Sequence, residues 1–145
     1  MKVIASGTFD RLHEGHKHFL KSAFNLGYVY IGLTSDNMVK NKPFADAIQS
    51  YDTRKANLIE YLSSEGKKID NDYQIMEIND RYGFAPEFMD ADVIVVTSDT
   101  IEAAEEINDT RAEYGIYPLE IIEVELILKD NKKISSSDIR KEEND

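Results

Sequence analysis

Hydrophobic positions in this chain fall into short apolar runs separated by stretches with helical spacing. Val3-Ile4-Ala5 is apolar at successive positions, as in a strand buried on both faces. Phe19, Leu20, Ala23 and Phe24 recur at the spacing of one helix face, and Gly27 stands where a helix C-cap would fall. Tyr28 to Leu33, dense in β-branched and aromatic residues, predicts a second strand. A loop from Thr34 to Ser50 follows, then a helix from about Asp52 to Leu62 with Leu58, Ile59 and Leu62 on one face, closed by Gly66. Tyr73 to Ile78 reads as a third strand, Asn79 to Gly83 as a turn, and Pro86 to Met89 as one helical turn. Val93-Ile94-Val95-Val96 is the cleanest buried strand. A long helix then runs from Thr97-Ser98-Asp99-Thr100 to Tyr114 and ends at Gly115; Asp99 and Glu102 have capping-box spacing. Leu119 to Leu128 alternates with Glu120, Glu123 and Glu125 as a more exposed strand does. A short helix over Ser136 to Lys141 and a frayed acidic tail close the chain.

Strands alternating with helices at this rhythm predict an α/β fold: a single Rossmann-like, doubly wound domain spanning residues 1–145, with a five-stranded, mainly parallel sheet. The 145 residues are 41% hydrophobic, enough for one real core, and no apolar stretch approaches the ~20 residues a membrane span needs. Met1-Lys2-Val3 runs straight into a strand, so no secretory leader is expected, and cysteine is absent, so disulfides, thiolate catalysis and cysteine-based zinc sites are excluded. A cytoplasmic protein is the expectation. The net charge of −11 repels nucleic acid and anionic membranes over most of the surface. Against it stand local cations: Lys40 and Lys42 in one loop, Arg54 at a helix start, and Arg140 with Lys132 and Lys133 around a serine run. Cations kept in loops beside strand ends suit a small polyanion, although Lys132 and Lys133 read as solvated surface charge.

The chemistry concentrates in Gly7-Thr8-Phe9-Asp10-Arg11-Leu12-His13-Glu14-Gly15-His16, where the first strand turns into the first helix. Open α/β sheets bind ligands outside the carboxyl ends of strands, and a helix N-terminus there attracts phosphate. The segment resembles the G-T-F-D-x-x-H-x-G-H signature of the nucleotidyltransferases. Their second signature appears in Ile134-Ser135-Ser136-Ser137-Asp138-Ile139-Arg140. Three further features resemble the archaeal and eukaryotic-type phosphopantetheine adenylyltransferases. They are the Lys40-Asn41-Lys42-Pro43 loop, Val95-Val96-Thr97-Ser98-Asp99-Thr100 with Ile107-Asn108-Asp109-Thr110-Arg111, and the Ser135-Ser136-Ser137 run. Asp99 departs from that pattern, in which glutamate is expected.

The resemblance implies adenylyl transfer from ATP to 4′-phosphopantetheine, giving dephospho-coenzyme A and pyrophosphate. The nucleophile is already a phosphate, so positioning and charge stabilisation carry the catalysis. His16 would donate to the α-phosphate region, with a helix-capping histidine as the structural alternative. His13 would meet the ATP phosphates from the same turn. Gly7 would serve the tight turn, Gly15 would let the backbone approach the nucleotide, and the Thr8 and Phe9 backbone would face it. Thr8, Lys40 and Lys42 are candidates for the transferring phosphate. Asp10 divides between loop stabilisation and a ligand role. Arg54 divides between the acceptor side and an ion pair with Asp52 or Glu60. Ser135, Ser136, Ser137 and Arg140 would clamp the β- and γ-phosphates, or Ser135 and Asp138 would form a capping box. Ser98, Asp99, Glu106 and Arg111 fall near the nucleotide by family analogy alone. His18 reads as surface, and a zinc site from His13, His16 and His18 fails because helical geometry splays the last two apart. Magnesium would arrive on the ATP phosphates, without a carboxylate cage. The partners are thus ATP and 4′-phosphopantetheine, with a monomer or small homo-oligomer as the assembly. The alternatives are a cytidylyltransferase or flavin-nucleotide synthase on the same scaffold, or a nucleotide-binding module without turnover.

Overall fold

In the computed structural model, which describes residues 1–40 and 45–125, the strands lie side by side in the order third, second, first, fourth, fifth. They are β1 (Lys2–Gly7), β2 (Tyr28–Thr34), β3 (Tyr73–Ile78), β4 (Val93–Val96) and β5 (Glu120–Glu123). Every pairing between them is parallel; Ile4, for example, lies between Tyr30 and Ile94. The helices are α1 (Glu14–Phe24), α2 (Asp36–Val39), α3 (Tyr51–Ser64) and α4 (Ile101–Glu113), with a 3₁₀ turn at Ala45–Ala47.

Strand alternation sorts the core into two layers. Val3, Ala5, Val29, Ile31, Val93 and Val95 face α1 and α3, which bring Phe19, Leu20, Ala23, Leu58 and Leu62. Ile4, Ile94 and Val96 point the other way, onto Ala104 and Ile107 of α4. The successive apolar positions of β1 and β4 are therefore the signature of a sheet covered on both sides.

Several local expectations are corrected. Gly27 is no helix C-cap: α1 ends at Phe24 with Asn25 as its cap, and Gly27 enters β2 at φ +151°, where a Cβ would collide with the Met1 carbonyl. The Thr34 to Ser50 loop contains α2, capped by Ser35, whose Oγ accepts the Met38 N–H at 3.1 Å; four residues are too few to show a period. Asp99 and Glu102 form no capping box, because Thr100 is the N-cap of α4 and its hydroxyl instead accepts the Thr97 N–H at 3.0 Å. Pro86 to Met89 is no helical turn: Pro86 and Glu87 end a run of turns, and Phe88 and Met89 are irregular. Of the last predicted strand, the described part is Glu120–Glu123; the helix over Ser136 to Lys141 and the tail lie outside the described residues.

Candidate active site

The strand order reverses between β1 and β4. From β1 the chain goes to a helix on one face, and from β4 to a helix on the other, which opens a crevice at their carboxyl ends. The turn on the β1 side is strained. Phe9 and Arg11 both have φ +49°, a conformation that bulky L-residues avoid. Burial over-determines it. The Phe9 ring is 3% exposed, wedged 5.5 Å from the His16 ring and 6.3 Å from Phe19. A Cβ on Gly7 would press on that ring at 3.1 Å, so a larger residue there would have to shift the buried ring by a few tenths of an ångström. Asp10 is fully buried, accepting the Gln49 N–H at 2.9 Å and the Arg11 guanidinium at 2.8 Å, which makes it a loop brace.

His13 and His16 cap α1 reciprocally. His13 Nδ1 accepts the N–H groups of Gly15 at 3.0 Å and His16 at 3.4 Å, while His16 Nδ1 accepts the His13 N–H at 3.4 Å. A backbone N–H only donates, so both Nδ1 atoms carry lone pairs and both ring protons sit on Nε2. Two neutral imidazoles, stacked at 3.8 Å, thus hold Nε2–H donors at a helix N-terminus. Burial pushes the His13 pKa below its usual 6.5, which favours this neutral form. His13 Nε2 itself is buried, with no hydrogen-bond partner among the described residues. A buried donor left unpaired is costly, and a phosphate oxygen would satisfy it. His18, on the other side of the helix, is exposed.

On the β2 side, Arg54 is fully buried, and the proposed pairings with Asp52 or Glu60 do not form. Its guanidinium donates to the Thr8 carbonyl at 3.0 Å, the Thr34 hydroxyl at 3.2 Å, the Gln49 carbonyl at 2.9 Å and the Asp36 carboxylate at 3.3 Å. It is a brace beneath the β1 turn, with no exposed surface of its own. Lys40 is exposed at the end of α2; Lys42 lies outside the described residues. Ser98 and Asp99 are exposed at the carboxyl end of β4, on the far lip of the crevice.

Arg111 is placed elsewhere. It sits ten residues down α4, about 15 Å from that helix's crevice end. There it is fully buried, and it donates to the carbonyls of Tyr117, Ala85 and Phe88 at 2.8 Å each. Asn108 beside it exchanges two bonds with the Leu119 backbone, at 2.8 and 2.9 Å. The Ile107-to-Arg111 stretch therefore docks the α4–β5 connection at the opposite end of the sheet from the histidines. Glu106 is held by Arg81 at 3.0 Å and by the Tyr82 hydroxyl. Ser135, Ser136, Ser137 and Arg140 lie outside the described residues. Among the described residues no three His, Asp or Glu side chains gather as a metal cage would need, and no helix is long and apolar enough to cross a membrane.

The model of the cytidylyltransferase-like family matches residues 4–142. The chain belongs to that family. Among its relatives, the phosphopantetheine adenylyltransferase of Pyrococcus abyssi is 48% identical over 96% of this chain and 88% of its own length. The Pyrococcus horikoshii protein of the same name is also 48% identical, over 96% of this chain and 87% of its own length. That of Methanosarcina mazei is 38% identical over 99% and 93%. A crystal structure of an Archaeoglobus fulgidus protein of unknown function superposes with a TM-score of 0.79 at 30% identity, covering 93% of this chain and all of that one.

This cytidylyltransferase-like chain is a nucleotidyltransferase, so the reading as a module without turnover falls away. Sequence reasoning missed Thr34, Asp36 and the bracing of Thr8. The only trace of them in the sequence is Thr34-Ser35-Asp36, three polar residues directly after a buried strand.

Proposed function

We propose that this chain transfers the adenylyl group of ATP to the phosphate of 4′-phosphopantetheine. An acceptor phosphate oxygen bonds to the α-phosphorus, the bond from that phosphorus to the β-bridging oxygen breaks, and pyrophosphate leaves. Dephospho-coenzyme A is the product. The observation that carries the reading is the pair of neutral histidines, locked as Nε2–H donors at the start of α1 beside the crevice. Charge grows on the α-phosphate oxygens during the transfer, and preorganised donors aimed there gain strength as it does. His16 is assigned to that phosphate and His13 to its neighbour, with Gly15 keeping the helix start open. Thr8, Lys40 and Lys42 are assigned to the incoming phosphate. Ser98 and Asp99 sit on the nucleotide side, and Ser135, Ser136, Ser137 and Arg140 are assigned to the leaving pyrophosphate. Magnesium would neutralise charge across the ATP phosphates, which bring it without a protein cage. The names of the relatives support the adenylyl donor and the pantetheine acceptor.

The test is a pyrophosphate-release panel: ATP and CTP, each against 4′-phosphopantetheine, glycerol 3-phosphate and flavin mononucleotide. Turnover should be confined to ATP with 4′-phosphopantetheine. Turnover of CTP with glycerol 3-phosphate in its place would refute the assignment.

A further inference from the structure

We infer that Gln49 is a specificity-determining residue whose side-chain carboxamide pairs with an amide of the acceptor's pantetheine arm. The inference rests on the proposed acceptor, 4′-phosphopantetheine. Gln49 ends the connection between α2 and α3, one residue before the Ser50 that caps α3. Its main chain is held on both sides by fully buried charged groups. The N–H donates to the Asp10 carboxylate at 2.9 Å, and the carbonyl accepts from Arg54 Nε at 2.9 Å. The guanidinium that takes this carbonyl also takes the Thr8 carbonyl, at 3.0 Å. Gln49 is therefore pinned against the β1 turn beside Thr8, and it follows Lys40 and Lys42 by a few residues of chain.

The side chain has no such structural work. Its Oε1 is buried without a hydrogen-bond partner, and its amide nitrogen makes no bond among the described residues. A buried acceptor left unpaired is costly, so this carboxamide weakens the fold and contributes no bond to it. The acceptor supplies the complement. A few bonds from its phosphate, the pantetheine arm carries two secondary amides, each with one N–H and one carbonyl. A carboxamide can accept from that N–H through its oxygen or donate to that carbonyl through its nitrogen. Contacts to phosphate alone cannot tell one phosphate monoester from another, whereas a contact to the arm can. Glycerol 3-phosphate has no amide, so it would leave the Gln49 carboxamide unmatched.

Gln49→Met keeps the length of the side chain and removes the carboxamide; Gln49→Ala serves the same comparison if methionine is not tolerated. With magnesium and ATP, Gln49→Met should lower kcat/KM for 4′-phosphopantetheine about 3- to 10-fold, the worth of one net hydrogen bond. The calorimetric Kd for ATP should stay within about twofold. Tm should not fall, because no bond within the protein is lost. The deciding probe is neopentyl glycol monophosphate, which copies the phosphate end of the acceptor and stops before the first amide. Its Ki as a competitor of 4′-phosphopantetheine should agree between parent and variant within about twofold. Parental acceptor kinetics in Gln49→Met overturn the inference. So does an equal loss for 4′-phosphopantetheine and the amide-free phosphate, an equal loss for ATP, or a lowered Tm in both variants. Failure of the parent protein itself to turn over 4′-phosphopantetheine overturns instead the functional reading on which the inference rests.

Discussion

His13 carries two separable duties, and a pair of substitutions divides them. Its Nδ1 accepts two N–H groups of the first turn of α1, and its Nε2–H is a buried donor with no partner among the described residues. His13→Ala removes both. Loss of the cap costs about 0.5–2 kcal/mol, and at about 2–4 °C per kcal/mol for a chain near this size, Tm should fall by about 1–8 °C. Loss of the preorganised donor should lower kcat by about 10²–10³. His13→Asn keeps a side-chain acceptor of the kind most favoured at an N-cap, so most of the stability should return. It does not restore the Nε2–H, nor the ring that stacks on His16 at 3.8 Å, so turnover should stay low. The assays are a thermal melt and pyrophosphate release on parent and both variants. Near-parental turnover in His13→Asn would reduce His13 to a cap. An unchanged Tm in His13→Ala would refute the reciprocal capping as a source of stability.

Three further outcomes follow from the same geometry. His16→Ala should lower kcat by about 10²–10³ while ATP affinity, measured by calorimetry, changes little; weak ATP binding with normal kcat would make His16 a ground-state ligand. Arg111→Met leaves three carbonyls, that of Ala85 buried, without their donor and should cost about 2–4 kcal/mol in denaturant unfolding, with ATP affinity of the folded protein intact; a stable variant with impaired ATP binding would return Arg111 to the nucleotide. Burial lowers the His13 pKa from 6.5 in the folded state, so the unfolded chain binds the extra proton first as pH falls. Its contribution to stability is therefore full above about pH 6.5 and is lost as pH drops through the folded pKa, and His13→Asn should flatten that part of the stability profile measured by urea unfolding.

The sequence by itself determined the layers and the place of the chemistry. Val3-Ile4-Ala5 and Val93 to Val96 are apolar at every position, and only a sheet covered on both faces buries such runs. The Gly7-to-His16 segment lies between a strand and a helix face, which fixes it at a strand's carboxyl end whatever its detailed turn. Local capping was legible only in part. Ser35 and Ser50 act within three residues of themselves, whereas Thr100 displaced Asp99 at the start of α4 by choosing the Thr97 N–H. The tertiary structure alone decided the two buried arginines. Arg54 meets Thr8 from 46 residues away, and Arg111 meets Ala85 from 26, so no local pattern could announce either contact. A guanidinium has five donors and no acceptor, and its role is set by whichever carbonyls or hydroxyls the packed core presents to it. The fold gave Arg54 the β1 turn and Arg111 the far end of the sheet. A residue expected at the acceptor side and one expected near the nucleotide became a buried brace beneath that turn and a clasp remote from it.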